Sequence, residues 1–231
     1  MSLKLGYWPI GGITQPIRML LHVLGQDYEN IIHKNREEWK PIKKKMTREG
    51  ANLLNLPYLI DGDTIITETL AIPFYLCQKF NRTDLLGKTT LDATRLLQYD
   101  SAFTDYHRAV VVPLFSENPK EGLAAAFKKG RRASFYMSNM ASILGEKEFL
   151  TGYLTYQDLK LAYNVHFYWS ACMSLGIEDN PFRNNPHLLR HAKGVFELEE
   201  MKGFEQVAGR YPPIGPETSP WFKVHLLQSE F

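Results

Sequence analysis

Asn55-Leu56-Pro57-Tyr58-Leu59-Ile60-Asp61-Gly62-Asp63-Thr64-Ile65-Ile66-Thr67-Glu68-Thr69-Leu70-Ala71-Ile72 is the stretch that decides how this chain folds. Pro57 opens an apolar run that ends at Asp61-Gly62-Asp63, a hairpin turn signal, and Thr64 to Ile66 returns as the opposing strand. Thr67 then stands where a side-chain oxygen would cap a helix carrying Leu70, Ala71, Phe74 and Tyr75. A proline at a strand start donates no ladder hydrogen bond, so the peptide before it is free to face a ligand. A cis Leu56–Pro57 bond would turn the Leu56 N–H and C=O outward, ready to pair with an extended peptide. A proline that only begins an edge strand fits these residues equally well.

Upstream, Leu3 to Tyr7 reads as a short strand that runs into the turn Pro9-Ile10-Gly11-Gly12. A helix opens near Thr14, with Pro16 in its first turn and Ile17, Leu20, Leu21 and Leu24 at helical spacing. Gly25 closes it. Tyr28 to His33 suits a second strand, and Glu37 to Arg48 a charged helix or turn region. The order strand, helix, strand, helix, strand, strand, helix describes a small α/β unit.

Downstream of about Thr90, strand signals fade and helical periodicity takes over. Ala93, Leu96, Leu97 and Phe103 begin a long helix interrupted or kinked near Pro113, and Gly122 to Leu144 is expected as one further helix. Thr155-Tyr156-Gln157-Asp158 is a capping box with Asp in place of the usual Glu or Gln, and it opens a strongly apolar helix. Pro186 to Gly209 supplies one or two more, and Tyr211-Pro212-Pro213-Ile214-Gly215-Pro216 cannot be helical and is expected to lie extended over the surface. Polar residues and Gly87 between Asn81 and Lys88 mark a boundary, giving domains at 1–83 and 88–231.

The 231 residues carry 27 Lys and Arg against 25 Asp and Glu, a balance that removes the electrostatic argument for a nucleic-acid binder. The two cysteines, Cys77 and Cys172, lie far apart, which excludes a disulfide framework and fits a reducing compartment. The first residues lack a charged region followed by a long apolar core, so no secretory signal is expected. Leu161 to Ile177 is free of Asp, Glu, Lys and Arg but holds Asn164, His166 and two serines, and it reads as a buried helix in preference to a bilayer span. The expectation is a soluble cytoplasmic protein with no membrane association.

Several side chains have the chemistry of a ligand site. Thr67-Glu68-Thr69 stands where a strand gives way to a helix, and exposed N–H groups at such a junction favour a carboxylate. Glu68 would take an ammonium group beside it, whereas ordinary capping is the plainer reading. Tyr7 closes the first strand, where a phenol can point into a cleft or pack in the core. Trp8 and Trp39 offer flat walls with N–H donors. Lys40, Lys43, Lys44, Lys45 and Arg48 form a basic run, in general a solvated face, of which one member would pair with a ligand carboxylate. His187 and His191 stand four apart without an evident third ligand, so they read as an exposed helix face and no metal is expected.

As an ordered set these pieces resemble a cytosolic glutathione transferase. The carriers are Leu5-Gly6-Tyr7-Trp8, Trp39 with Lys43, Asn55 to Gly62, Ile66 to Ile72, and the capping box at Thr155 to Asp158. Gly-Tyr-Trp and Asn-Leu-Pro-Tyr-Leu-Ile-Asp-Gly bring it closest to the mu class, with a sigma-like enzyme also open. The resemblance implies a thioredoxin-like N-terminal domain that binds glutathione, followed by an all-helical domain that supplies most of an electrophile pocket. It implies that Tyr7 donates a hydrogen bond to the glutathione sulfur. Trp8, Trp39 and Lys43 would hold the glycine carboxylate end, Asn55, Leu56 and Pro57 the middle of the tripeptide, and Glu68 with Thr69 the γ-glutamyl end. Asp105 falls where mu-type enzymes present an aspartate to the neighbouring subunit's glutathione, which implies a homodimer.

The second-substrate wall would involve Ile10, Ile13, Arg108, Val111, Phe115 and Ile214. Phe115 replaces a mu-type tyrosine, Thr-Glu-Thr-Leu replaces Thr-Gln-Ser-Asn, and Leu53 stands near where mu-type subunits place an interface phenylalanine. Glutathione enters as co-substrate, and no other cofactor is expected. The absence of cysteine between Tyr7 and Gly12 disfavours a disulfide reductase. The expected reaction joins the glutathione thiolate to small hydrophobic electrophiles. A structural or interaction protein of the same fold, or an isomerase or peroxidase using the same thiolate, are the alternatives.

Overall fold

The computed structural model describes residues 2–128, 130–208 and 211–213, and the expectation placed on Ile214 and the rest of the tail falls outside these. The chain divides into two compact units. One holds the residues up to Thr83 together with those described between 200 and 213, and the other runs from Asp84 to Glu199.

In the first unit, β1 (Leu3–Tyr7), α1 (Gln15–Val23), β2 (Tyr28–Ile32), α2 (Arg36–Arg48), β3 (Tyr58–Asp61), β4 (Thr64–Thr67) and α3 (Ala71–Lys79) follow one another. The sheet order is β2-β1-β3-β4. β1 pairs parallel with β2 and antiparallel with β3, and β3 pairs antiparallel with β4. This is a thioredoxin-like domain. Because β1 has neighbours on both sides, Leu3, Leu5 and Tyr7 are all buried. α1 starts with Pro16 in its first turn, where the missing N–H costs nothing, and it buries Ile17, Leu20 and Leu21 completely.

Thr67 does not cap α3. Its hydroxyl donates to the Leu53 carbonyl at 3.2 Å, and the cap residue is Leu70, whose side chain makes no capping bond. Between β4 and the helix, Glu68 sits at φ 77°, a left-handed conformation that a residue with a Cβ adopts at a cost.

Gly6 has a packing reason to be glycine. A Cβ there would lie 2.2 to 2.7 Å from three atoms of the Tyr58 ring. That ring cannot easily retreat, because it stacks on Trp39 at 5.8 Å and its hydroxyl is hydrogen-bonded to His33 Nε2 at 3.0 Å. Gly6→Ala is therefore expected to destabilise the protein by about 3 kcal/mol, the upper range for an overpacked core. Equilibrium urea unfolding followed by far-UV circular dichroism measures it, and a loss below about 1 kcal/mol would show that the ring does give way.

The second unit is helical among its described residues: α4 (Thr90–Leu114), α5 (Pro119–Ala126), α6 (Arg132–Leu144), α7 (Tyr156–Ser174) and α8 (Pro186–Phe196). α4 runs unbroken, with Pro113 taken into its last turn. The single helix expected over 122–144 is two helices. Gly130 lies between them at φ 84°, a conformation no helix can continue through. α7 is buried on nearly all sides, including Leu161, Val165, Tyr168 and Trp169, as a helix without a polar face must be. Its buried polar residues include Lys160, which meets Asp100 of α4 at 2.5 Å with both side chains buried. Among the described residues no helix is long and apolar enough to cross a membrane. A short α9 (Phe204–Ala208) returns the chain to the first unit.

His191 departs from its expected exposed position. Its side chain is fully buried, and Nε2 lies 3.0 Å from Asp158 Oδ1. His187 faces Glu146 at 3.4 Å instead of sharing a ligand with His191. The capping-box aspartate, 33 residues earlier, is what draws His191 inward.

Candidate active site

Strand direction and register bring the candidate residues of the first unit to one end of its sheet. Gly6 lies opposite Tyr58, so Tyr7, the last residue of β1, falls beside the start of β3, where Leu56 and Pro57 enter. Tyr58 lies opposite Thr67, so β4 delivers Glu68 and Thr69 to the same end. β2 runs parallel to β1, and the His33 amide donates to the Tyr7 carbonyl at 2.9 Å, placing the lead into α2 there as well. Four segments, from the ends of β1, β2 and β4 and the start of β3, thus converge at one end of the sheet.

The Leu56–Pro57 peptide is cis, Leu56 is half-buried and Asn55 before it is exposed. Glu68 is exposed and Thr69 half-buried. Trp39 and Lys43 stand four residues apart on α2, hence on one face of that helix. Trp39 is buried against Leu54 and Tyr58, with Trp8 half-buried against the same cluster, whereas Lys43 is exposed. His33, which nothing in its own stretch of residues singles out, holds the cluster together. Its ring is 4.7 Å from that of Trp39, and its Nε2 holds the Tyr58 hydroxyl. Burial pushes the His33 pKa down, with Glu38 acting in the opposite sense, and burial pushes Tyr58 up to about 12.

Tyr7 is 6% exposed and its hydroxyl faces the turn that follows β1. At Gly12, φ is 46° and a Cβ would come within 2.8 Å of the phenol oxygen. Burial raises the Tyr7 pKa above its ordinary value, while the Ile13 backbone and the charge of Arg18 pull it down. The net effect is upward. At neutral pH the group is therefore a phenol with a proton to donate, as a donor to a sulfur anion must be. Ile10 and Ile13, on either side of the turn's glycines, are both half-buried.

In the second unit, Asp105 lies in the wall of a groove of about 510 Å³ between α4 and α6, lined also by Tyr99, Phe135 and Met140. Its carboxylate pairs with Arg132 at 3.0 Å, and both side chains are more than half exposed. Along α4, Arg108 is exposed and Val111 half-buried, and Phe115, just past its end, is 53% exposed. Among the described residues no group of three or more His, Cys, Asp or Glu is arranged to hold a metal ion.

Residues 3–78 match the family model described as the glutathione S-transferase N-terminal domain. Glutathione S-transferase Y1 of Cricetulus longicaudatus is 31% identical over 232 residues, covering 96% of this chain and 99% of that protein. The class-mu 26 kDa isozyme 7 of Fasciola hepatica is 34% identical over 155 residues, 66% of each chain, so about two thirds of that relative is spanned. A crystal structure of a nematode-specific glutathione S-transferase of C. elegans superposes with a TM-score of 0.72 at 21% identity, over 93% of this chain and 99% of its own.

Proposed function

Because this chain belongs to the glutathione S-transferase family, we propose that it seats glutathione at the C-terminal end of β1 and transfers the tripeptide's thiolate to small hydrophobic electrophiles. The observation that carries this reading is the convergence of Tyr7, Leu56–Pro57 and Glu68–Thr69 at one end of the sheet. In this reading the Leu56 backbone pairs with the cysteinyl part of the tripeptide. Asn55, Pro57 and Trp8 flank it, and Lys43 with Trp39 meets the glycine carboxylate. Glu68 takes the α-ammonium of the γ-glutamyl end and Thr69 its carboxylate. The left-handed Glu68 supports this assignment, since strained backbone persists where surrounding structure or function holds it.

A free thiol titrates near ~8.5, so only a few per cent is thiolate at neutral pH. The protonated Tyr7 phenol donates to the anion and favours it over the thiol. The electrophile then needs only to be held within reach of the sulfur, and proximity supplies much of the remaining acceleration. In the first unit Ile10 and Ile13, beside the Tyr7 hydroxyl, offer it apolar surface, and in the second Arg108, Val111 and Phe115 are the side chains proposed for the electrophile. With phenylalanine at 115 this second set lacks a hydroxyl to assist a leaving group or an epoxide oxygen.

The protein is further proposed to act in the cytoplasm as a homodimer in which Asp105 addresses the partner's glutathione. Leu53 at 81%, Phe74 at 55% and Phe135 at 70% exposure support a partner surface, being large apolar side chains left in water.

The reading is tested by titration calorimetry with glutathione and by initial rates with an activated aryl chloride. Glutathione is expected to bind with a dissociation constant below about 1 mM, inside the ordinary range of KM values, and the conjugate is expected to form. Binding without turnover would replace the enzyme by a glutathione-binding module. No heat of association at millimolar glutathione would remove the site altogether.

A further inference from the structure

The turn that faces the Tyr7 hydroxyl is not held by its own segment alone. The Gly11 amide donates to the Pro212 carbonyl at 2.7 Å, and the Gly12 amide donates to the Pro213 carbonyl at 3.1 Å. Two successive amides thus meet two successive carbonyls from a segment two hundred residues later in the chain. The chemistry of that segment suits the task. Pro212 and Pro213 have no N–H, so they present acceptors only, and proline restricts Tyr211 before it to extended backbone. On its inner side, the Gly11 carbonyl accepts from the Thr14 and Gln15 amides at 3.1 and 3.0 Å, which ties the same turn to the start of α1.

Arg18 fastens the far side of this arrangement. Its side chain is fully buried in the first unit. One amino group donates to the Ile10 carbonyl at 3.0 Å and to Gln15 Oε1 at 3.1 Å, and Nε donates to Asn30 Oδ1 at 3.3 Å. The guanidinium lies 3.9 Å from the centre of the Tyr211 ring, a close cation–π stack. One residue therefore grips the carbonyl before the two glycines and also the ring before the two prolines. The turn has little freedom left, and the place where the phenol oxygen meets it is set by Arg18 and the 211–213 segment.

We propose that Tyr211, stacked on Arg18 and leading the Pro212–Pro213 carbonyls onto the Gly11 and Gly12 amides, is a positioning residue for the Tyr7 hydroxyl. The inference rests on the reading that Tyr7 donates to the glutathione sulfur. Without the Tyr211 ring, the 211–213 segment loses its anchor, the two glycine amides lose their fixed acceptors, and the turn relaxes around the phenol. The consequence falls on thiolate stabilisation, and the capture of the tripeptide by Lys43, Asn55, Glu68 and Thr69 is left intact.

The test compares Tyr211→Leu, which keeps apolar bulk without a π face, with Tyr211→Phe, which keeps the ring. Both are made also in a Tyr7→Phe background, and Tyr211→Met replaces the leucine variant if that one does not fold. The readouts are the pH midpoint of kcat/KM, the ultraviolet titration of the bound thiolate, and the KM for glutathione. Tyr211→Leu is expected to raise the midpoint by about half a unit to one unit and to lower kcat/KM below it by about three- to tenfold. KM for glutathione should stay within about twofold, Tyr211→Phe should match the wild type, and Tyr211→Leu should add nothing once Tyr7 is phenylalanine. A Tyr211→Leu midpoint at the wild-type value, while Tyr7→Phe moves it, would overturn the positioning role alone. An undiminished Tyr211→Leu effect in the Tyr7→Phe background would overturn it as well. A midpoint unmoved by Tyr7→Phe itself would remove the catalytic reading of Tyr7 and this inference with it.

Discussion

Tyr7→Phe is expected to return the glutathione thiol to about its solution pKa, a rise of roughly two units, or about 2.7 kcal/mol of lost preference for the thiolate. The change deletes one oxygen and keeps the ring that closes β1 in the core, so the fold should be untouched. With a bound thiol near ~6.5, about three quarters is ionised at pH 7; near ~8.5 about 3% is. Conjugation at pH 7 should therefore fall by up to about 25-fold. At pH 9 both forms are mostly ionised, and the two rates should converge. This pH dependence separates two roles for the phenol. Burial holds the Tyr7 pKa up, so the group is a proton donor throughout the neutral range. A tyrosinate acting as base would instead gain activity as the phenol itself ionised, well above pH 9. Ultraviolet titration of bound glutathione reads the thiol directly, and an unshifted thiol in the variant would reject the donor role.

What the sequence disclosed about this site follows from where strands end. β1, β3 and β4 are announced by local signals: the short run Leu3 to Tyr7 before the turn at Pro9 to Gly12, the proline at 57, and the turn at Asp61-Gly62-Asp63. Once their pairing is antiparallel for β1 with β3 and for β3 with β4, the residues at 7, 56–57 and 68–69 must share one end of the sheet. Pairings that span long stretches of sequence were not legible. Thr67 has the composition of a cap, yet its hydroxyl is claimed by the Leu53 carbonyl. His191 has the spacing of an exposed helix pair with His187, yet Asp158 takes it into the core. The helix expected over 122–144 shows the same limit on a local scale, because periodicity continues through a glycine that the backbone uses to turn. Likewise, the two prolines at 212 and 213 read as a surface tail, since nothing in their own stretch names Gly11 and Gly12 as partners. Apart from that helix break, each miss concerns a polar group whose partner lies in another segment of the chain.

Asp158→Ala is expected to have the largest effect on stability of any single change considered, because one carboxylate serves four donors. Oδ2 accepts from the Thr155 amide at 2.9 Å and from the Thr155 hydroxyl at 2.5 Å. Oδ1 accepts from the Leu150 amide at 2.9 Å and from His191 Nε2 at 3.0 Å. All of this is buried, so the donors cannot turn to water when the carboxylate is removed, and each buried unmet donor costs about 1–3 kcal/mol. Partial rearrangement and entry of a water recover some of that, so a loss of about 4 kcal/mol is expected. That would consume much of the 5–15 kcal/mol typical of a folded domain. In urea it should appear as a fall in midpoint on the order of 1–2 M. Asp158→Asn separates the roles of the group. Its amide keeps one acceptor oxygen and turns an NH2 toward N–H and O–H donors, so it should recover less than half of the loss. A defect this deep belongs to the helical unit, which carries Trp169 on α7 itself. A folded Asp158→Ala protein within about 1 kcal/mol of the wild type would mean that the four donors find other partners, and that the box marks where α7 begins without holding it there.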